Sequence, residues 1–357
     1  MEYLIEYGMF LAKAATIALA VIVVITAISS AGQKKKKTGK KGSIKVTQLN
    51  DHIDEMREEL RQTVLDKDHL KLVHKDEKKK HKAEHKEKKQ QLKKEKHGDS
   101  AEDEARKKRV YVLNFKGNIA AEAVASLREE ITAILSLAEK SDEVLLRLES
   151  PGGMVHAYGL ASSQLLRIKN QKIPLTICVD KVAASGGYMM ACLADKLVAA
   201  PFAIIGSIGV LVQLPNFHRV LKKHDVDFEM ISAGEYKRTL TTFGEITKKG
   251  RDKVQEDVET IHDIFKSWVK DHRPSIEIEK ISTGETWVGV QAKERYMVDE
   301  IKTSDECIVE ACDSAEVFEV EYEFRKSIQD RLGHVMEATT DKLFSKWFTK
   351  PTDDSYQ

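Results

Sequence analysis

The residues best suited to chemistry lie in Val182-Ala183-Ala184-Ser185-Gly186-Gly187-Tyr188-Met189-Met190-Ala191, a serine among small residues just ahead of an apolar run. The preceding Ile173-Pro174-Leu175-Thr176-Ile177-Cys178-Val179-Asp180 has the β-branched and apolar content of a buried strand, so the predicted order is strand, tight turn, serine, helix. Such an order exposes a hydroxyl to a reacting carbonyl. Glycines at 186 and 187 let the backbone approach a substrate, and the first N–H groups of the helix would face developing negative charge. The same residues also suit a plain helix start, with Ser185 as N-cap and the glycines there for packing. A second turn, Ser150-Pro151-Gly152-Gly153, follows the predicted strand Glu143-Val144-Leu145-Leu146-Arg147-Leu148, a position where α/β proteins place ligands. Pro and Gly dominate ordinary turns too. Taken together, the two turns would supply one nucleophile, Ser185, and two oxyanion amides, Gly153 and Gly186.

A serine hydroxyl needs a base. His156 and His218 are the histidine candidates, but no neighbouring carboxylate in the sequence orients either ring. A lysine serves only when neutral, which requires its pKa to fall from about 10.4 to roughly 7–8 in a dry, apolar site. Lys237, in Ser232-Ala233-Gly234-Glu235-Tyr236-Lys237-Arg238, follows an apolar segment and is the lysine candidate. Cys178, Cys192, Cys307 and Cys312 lack the close-pair spacing of a zinc or redox site. His81 and His85 have the spacing of a helical metal pair but stand among lysines and read as surface residues. No metal or cofactor is expected.

The elements that must hold these residues read as α/β. Val110-Tyr111-Val112-Leu113-Asn114-Phe115 is a predicted strand, followed by Ala120, Val124, Leu127, Ile131, Ile134 and Ala138 at helical spacing. Strand 143–148, a helix over 158–168 and the strand before Ser185 come next. Residues 196–200 and Asp227-Phe228-Glu229-Met230-Ile231 read as further short strands, residues 248–270 as a helix, and a tail segment begins at Phe318. Alternating strands and helices point to one α/β body of about 250 residues.

Ahead of that body the composition changes. Residues 8–30 form an apolar run interrupted by Lys13, long enough to span a bilayer, which takes about 20 residues. The chain starts with Glu2 and Glu6 rather than with the basic residues of a signal peptide. Ser29-Ser30-Ala31 keeps a cleaved signal open as the alternative. Lysines at 34–37, 40 and 41 follow the span, which places the body in the cytoplasm by the positive-inside rule. The formal charge of +1 hides a division: residues 34–109 hold 26 Lys/Arg against 16 Asp/Glu, and residues 110–357 hold 31 against 39. A basic segment therefore precedes an acidic body. From Lys45 to about His97 the sequence favours helix, with Ile53, Met56, Leu60, Val64, Leu70 and Val73 forming an amphipathic stripe. Beyond Lys75 it reads as a solvated tether. Without interleaved aromatics or a reader motif, no nucleic-acid partner is expected.

Ser150-Pro151-Gly152-Gly153, Ala183-Ala184-Ser185-Gly186-Gly187-Tyr188, Gly206-Ser207-Ile208-Gly209-Val210 and Gly234-Glu235-Tyr236-Lys237 resemble, in this order, the motifs of the signal peptide peptidase A family, serine proteases of ClpP/crotonase fold. The charged extension, Arg238 after Lys237, Thr283-Gly284-Glu285-Thr286-Trp287 and Val298-Asp299-Glu300-Ile301 most resemble its SohB branch. The resemblance implies a Ser-Lys dyad, with Ser185 as nucleophile, Lys237 as base and Ser207 holding the lysine. It implies a membrane-anchored endopeptidase of the bacterial inner membrane, acting on membrane-associated peptides or unfolded segments and assembling as a homo-oligomeric ring. Arg238 departs from the wider family and bears on substrate preference. The implied layout is an anchor over residues 1–33, a basic helical or disordered extension over 34–109, a ClpP/crotonase-like peptidase domain over 110–340 and a tail over 341–357. The alternative is a catalytically silent crotonase-fold scaffold or binding protein, since fold does not dictate function; an acyl-CoA enzyme is a weaker rival.

Overall fold

The computed structural model describes residues 42–66 and 107–324, with a few positions outside them. The chain divides into two units, Met1–Ser43 with Phe324–Gln357, and Ile44–Glu323. Nearly all described residues belong to the second unit. In chain order its elements are β1 (Ser43–Gln48), α1 (Leu49–Val64), β2 (Arg109–Lys116), α2 (Val124–Leu135), β3 (Glu143–Glu149), α3 (Val155–Asn170), β4 (Leu175–Val179), β5 (Val182–Ala184) and α4 (Gly186–Ala191). They continue as β6 (Lys196–Ala199), β7 (Ile204–Gly206), α5 (His218–Lys223), α6 (Lys248–His272), α7 (Ile278–Ile281), β8 (Thr286–Val288), α8 (Gly289–Glu294), β9 (Glu300–Ile301), α9 (Ser304–Ser314) and β10 (Glu316–Glu323).

One sheet runs β1-β10-β2-β3-β4-β6-β9, and its neighbours from β10 to β9 pair in parallel. A parallel sheet covered on both faces needs apolar residues in both pleat directions. On β2, Tyr111, Leu113 and Phe115 pack on one face with Leu127 and Ile131 of α2, Leu165 and Ile168 of α3, and Tyr188 of α4. Val110 and Val112 turn to the other face, where Leu145, Cys178, Val198 and Ile308 of α9 meet them. A second sheet is small: β5 pairs in parallel with β7, which pairs antiparallel with β8.

The fold is thus mixed α/β with a sheet rich in parallel pairs, as the alternation in the sequence indicates. Three local expectations change. The strand before Ser185 ends at Val179, and the residues directly ahead of the serine form a separate strand in the other sheet. Asp227-Phe228-Glu229-Met230-Ile231 is irregular and exposed, with Ile231 91% accessible. Among the described residues no strand pairs with it, and sheet structure requires such a partner. Ser43–Gln48 form a strand, although the composition from Lys45 onward favours helix; the β-branched Ile44, Val46 and Thr47 suit that strand. Of the stripe after it, Ile53 to Val64 lies in a helix, α1, while Leu70 and Val73 lie outside the described residues. Asn50 ties α1 to the end of α9 and β10, its amide donating to the carbonyls of Cys312 and Ala315 and its oxygen accepting the Val317 N–H. Among the described residues no helix is long and apolar enough to cross a membrane. The expected span and the lysines after it lie, apart from a few positions, outside the described residues.

One buried charge site is invisible in the sequence pattern. Glu130 sits on the inner face of α2, 5% exposed, with one oxygen accepting the Tyr322 N–H of β10 at 2.8 Å and the other without a partner among the described residues. Burial pushes its carboxyl up from 4.5 to about 7, with a smaller push from Glu321 and an opposing pull from the Tyr322 N–H. A folded-state pKa above the unfolded one favours folding while the group is protonated, and that advantage is lost as pH rises from about 4.5 through about 7. Glu130→Gln, which cannot ionise, should remove this dependence: in urea unfolding at pH 5 and pH 8, wild type should lose stability relative to the variant, at a rate bounded by roughly 1.4 kcal/mol per pH unit. Equal changes in both proteins would show that Glu130 ionises freely in the fold.

Candidate active site

The two glycine-rich turns meet because β3 crosses from one sheet to the other at its end. Ser150, just past β3, forms an isolated parallel bridge with Ala183 of β5. Its N–H donates to the Val182 carbonyl at 2.8 Å, and its carbonyl accepts the Ala184 N–H at 3.0 Å. Those two bonds lay Pro151-Gly152-Gly153 alongside Ser185. Gly152 has φ +91°, and a Cβ there would stand 2.7 Å from both Ser185 Cβ and the Gly186 nitrogen. Only glycine satisfies both the dihedral and the space.

Ser185 itself has φ 52° and ψ −119°, a left-handed conformation that a non-glycine residue seldom adopts. Its N–H is held by the Gly206 carbonyl at 2.8 Å. Such strain persists where the surroundings over-determine it, and it clusters at sites of function. The turn carries the chain from β5 directly into α4, whose first residue is Gly186. An N-cap serine would accept a hydrogen bond from its own helix, yet Ser185 makes no side-chain cap bond. The packing role of Gly186 is nonetheless real: a Cβ there would fall 2.4 Å from Cγ of Tyr158. The Gly153 amide has no partner within the described residues, and the Gly186 amide, at the first position of a helix, is free of intrahelical bonding.

Ser207 lies beside Ser185. β5 and β7 run in parallel with Ala184 opposite Gly206, so the two serines follow at the same end of adjacent strands, both with φ 52°. The Ser207 N–H donates to the Glu285 carbonyl at 2.6 Å, so the Thr283-Gly284-Glu285-Thr286-Trp287 segment, through β8, seats the turn after β7. Gly153, Gly186, Ser185 and Ser207 therefore share one edge of the molecule. Lys237 is not brought into hydrogen bonding with them. It lies exposed in the irregular stretch 224–247, where its N–H closes a turn on the Gly234 carbonyl at 3.1 Å. In the same stretch Phe243 packs with Phe217 and Phe228, at centroid distances of 6.2 and 5.8 Å. His156 is exposed on the first turn of α3 and His218 is half-buried at the start of α5; among the described residues no hydrogen bond joins either ring to a carboxylate.

Comparison with known proteins bears on what such an edge does. The sequence matches Peptidase family S49 N-terminal over residues 2–165 and Peptidase family S49 over residues 167–318. The chain belongs to peptidase family S49. It is 48% identical to the probable protease SohB of Haemophilus influenzae, over 99% of this chain and 98% of that one. A probable protease SohB of Buchnera aphidicola is 51% identical over 67% of this chain and 72% of its own length. Protease 4 of Haemophilus influenzae is 30% identical over 47% of this chain and 28% of its own. Near full-length likeness to SohB proteins places the peptidase in the SohB branch of the signal peptide peptidase A family.

Two side chains of this peptidase site escape a reading of sequence spacing. Tyr158, fully buried on α3, presses its ring against Gly186 and sends its hydroxyl toward Ser150 and the Asn118 carbonyl. Ser150 uses its hydroxyl as well as its backbone, accepting the Gly152 N–H at 3.1 Å. In the sequence Tyr158 is one more apolar-face residue of a helix, and nothing local distinguishes its hydroxyl.

Proposed function

We propose that this peptidase is a membrane-anchored serine endopeptidase of ClpP/crotonase type that uses a Ser-Lys dyad. The observation that carries the reading is the strained Ser185, set at the end of β5 with Gly152 packed against it and Gly186 following it at the start of α4. In the reaction, Ser185 Oγ bonds to the scissile carbonyl carbon as Lys237 takes its proton. The two amides hold the oxyanion, the lysine returns the proton to the leaving amine, and water then cleaves the acyl-enzyme. Ser207 keeps the lysine amine in place.

An amine open to water stays protonated at neutral pH, so this role asks for a cover over Lys237. The stretch that carries it supports one: Leu211, Phe217, Phe228, Met230, Ile231 and Phe243 all expose 44% or more of their surface within it or just ahead of it. Apolar surface on this scale marks an interaction site, and the cover that fits is a neighbouring copy of the chain in a homo-oligomeric ring. The rival reading, a silent scaffold, draws on the exposure of Lys237 in the single chain. Residues 8–30 and the lysines after them support a single N-terminal span of the bacterial inner membrane with the body in the cytoplasm. A site so tethered suits membrane-associated peptides or unfolded segments.

With a generic peptide substrate, Ser185→Ala and Lys237→Ala should each fold and each lose at least about 10²-fold in kcat/KM, as expected for loss of nucleophile or general base. A folded Lys237→Ala enzyme retaining more than a tenth of the wild-type rate would refute the lysine. The anchor predicts that full-length protein stays in the membrane pellet after a high-salt wash, which strips contacts made by charge alone. Recovery in the salt supernatant would exclude the span.

A further inference from the structure

Four groups beneath the Ser150 turn form a hydrogen-bond chain whose direction is forced by chemistry. The Gly152 N–H can only donate, and it donates to Ser150 Oγ at 3.1 Å. The Asn118 carbonyl can only accept, and it accepts the Tyr158 hydroxyl proton at 2.8 Å. A phenol has one proton, so with that proton spent Tyr158 Oη must accept from Ser150, 2.5 Å away. The order is Gly152 N–H to Ser150 O–H to Tyr158 O–H to the Asn118 carbonyl. Ser150 and Tyr158 are both fully buried, and each hydroxyl in such a chain polarises the next.

This chain ties together three segments that meet at the site. Asn118 follows β2, whose end is itself held by the Gly117 N–H on the Glu149 carbonyl at 2.9 Å. Ser150 follows β3. Tyr158 comes from α3, and its ring fixes how closely α4 can approach at Gly186. The Gly152 amide is consumed by the chain, so it is not an oxyanion donor. What it does is set the plane of the peptide on one side of Gly152, with the Gly153 amide on the other side left unpartnered among the described residues.

We propose that Tyr158 and Ser150 are positioning residues that aim the Gly153 amide at the oxyanion, while the Tyr158 ring sets the height of the Gly186 amide. This rests on the serine-peptidase reading above. Neither residue touches substrate. Losing the phenol oxygen leaves the buried Ser150 hydroxyl without its acceptor, while the Asn118 carbonyl keeps the Ala121 N–H at 2.9 Å, and the turn relaxes by local re-pairing. Removing an oxyanion donor outright costs about 10²–10³ in kcat, so mis-aiming one should cost less, on the order of 10-fold.

The test uses full-length enzyme and a fluorogenic peptide, with a peptide aldehyde of matching sequence as the oxyanion-forming inhibitor. Tyr158→Phe should lower kcat about 10-fold with KM within about twofold, and should weaken the aldehyde by a similar factor. Ser150→Ala should do the same and Ser150→Thr, which keeps the hydroxyl, should recover most of the loss. Melting temperatures of each variant separate folding from chemistry, and Ser150→Ala gives the answer should Tyr158→Phe fail to fold. Unchanged kcat and aldehyde affinity in folded Tyr158→Phe and Ser150→Ala would overturn the positioning role while leaving Ser185 as nucleophile. Full activity in Ser185→Ala would instead overturn the serine reading, and the positioning role with it.

Discussion

The arrangement depends on one short piece of backbone pairing, the bridge between Ser150 and Ala183. Up to Glu149 the chain belongs to the seven-stranded sheet, held by β2 on one side and β4 on the other. One residue later it pairs with β5 of the small sheet, and the two bonds from Ser150 are what bring the two glycine-rich turns together. Backbone pairing suits this role because it fixes register to a single residue; a slip by one would turn every side chain over. The close approach of Gly152 to Ser185 and of Gly186 to Tyr158 follows from that register, and so does the requirement for glycine at those positions.

The second dependence is on layering. The large sheet is apolar on both faces, and its strands β2, β3 and β4 are among the most buried parts of the chain. Such a base can hold a strained residue. The left-handed turns at Ser185 and Ser207 cost on the order of 1–3 kcal/mol each, and they persist because β5, β7 and β8 are paired on either side of them. The Glu285 carbonyl on Ser207 and the Gly206 carbonyl on Ser185 close the set.

Most of this layering is legible in the sequence because it is local: apolar runs at 110–115, 143–148 and 175–179, with helical periods between them. The turns at 150–153 and 185–187 are legible as turns, and family motifs give them a role. What escapes is non-local. No spacing rule says that Val182-Ala183-Ala184 leaves the sheet of β4 for another, or that Tyr158 reaches back to Ser150. Asp227-Phe228-Glu229-Met230-Ile231 misleads for the same reason, since its apolar residues suit a strand but no edge among the described residues receives them. Glu130 shows the reverse case, a residue whose charge suits solvent but whose helical position, between Leu127 and Ile134, puts it on the apolar face of α2. Lys237 is the residue whose proposed role asks most of assembly, for the single chain leaves it in solvent.

The central claim is that Ser185 is the nucleophile of this edge, and covalent labelling reads it most directly. Full-length enzyme in detergent or native membrane, treated with a fluorophosphonate and digested, should carry the phosphonyl group on the peptide containing Ser185 and should lose activity in proportion to labelling. Loss of labelling in Ser185→Ala with Ser207 unlabelled throughout is the predicted control. Inactivation accompanied by modification at another residue, or full activity with Ser185 quantitatively modified, would contradict the account.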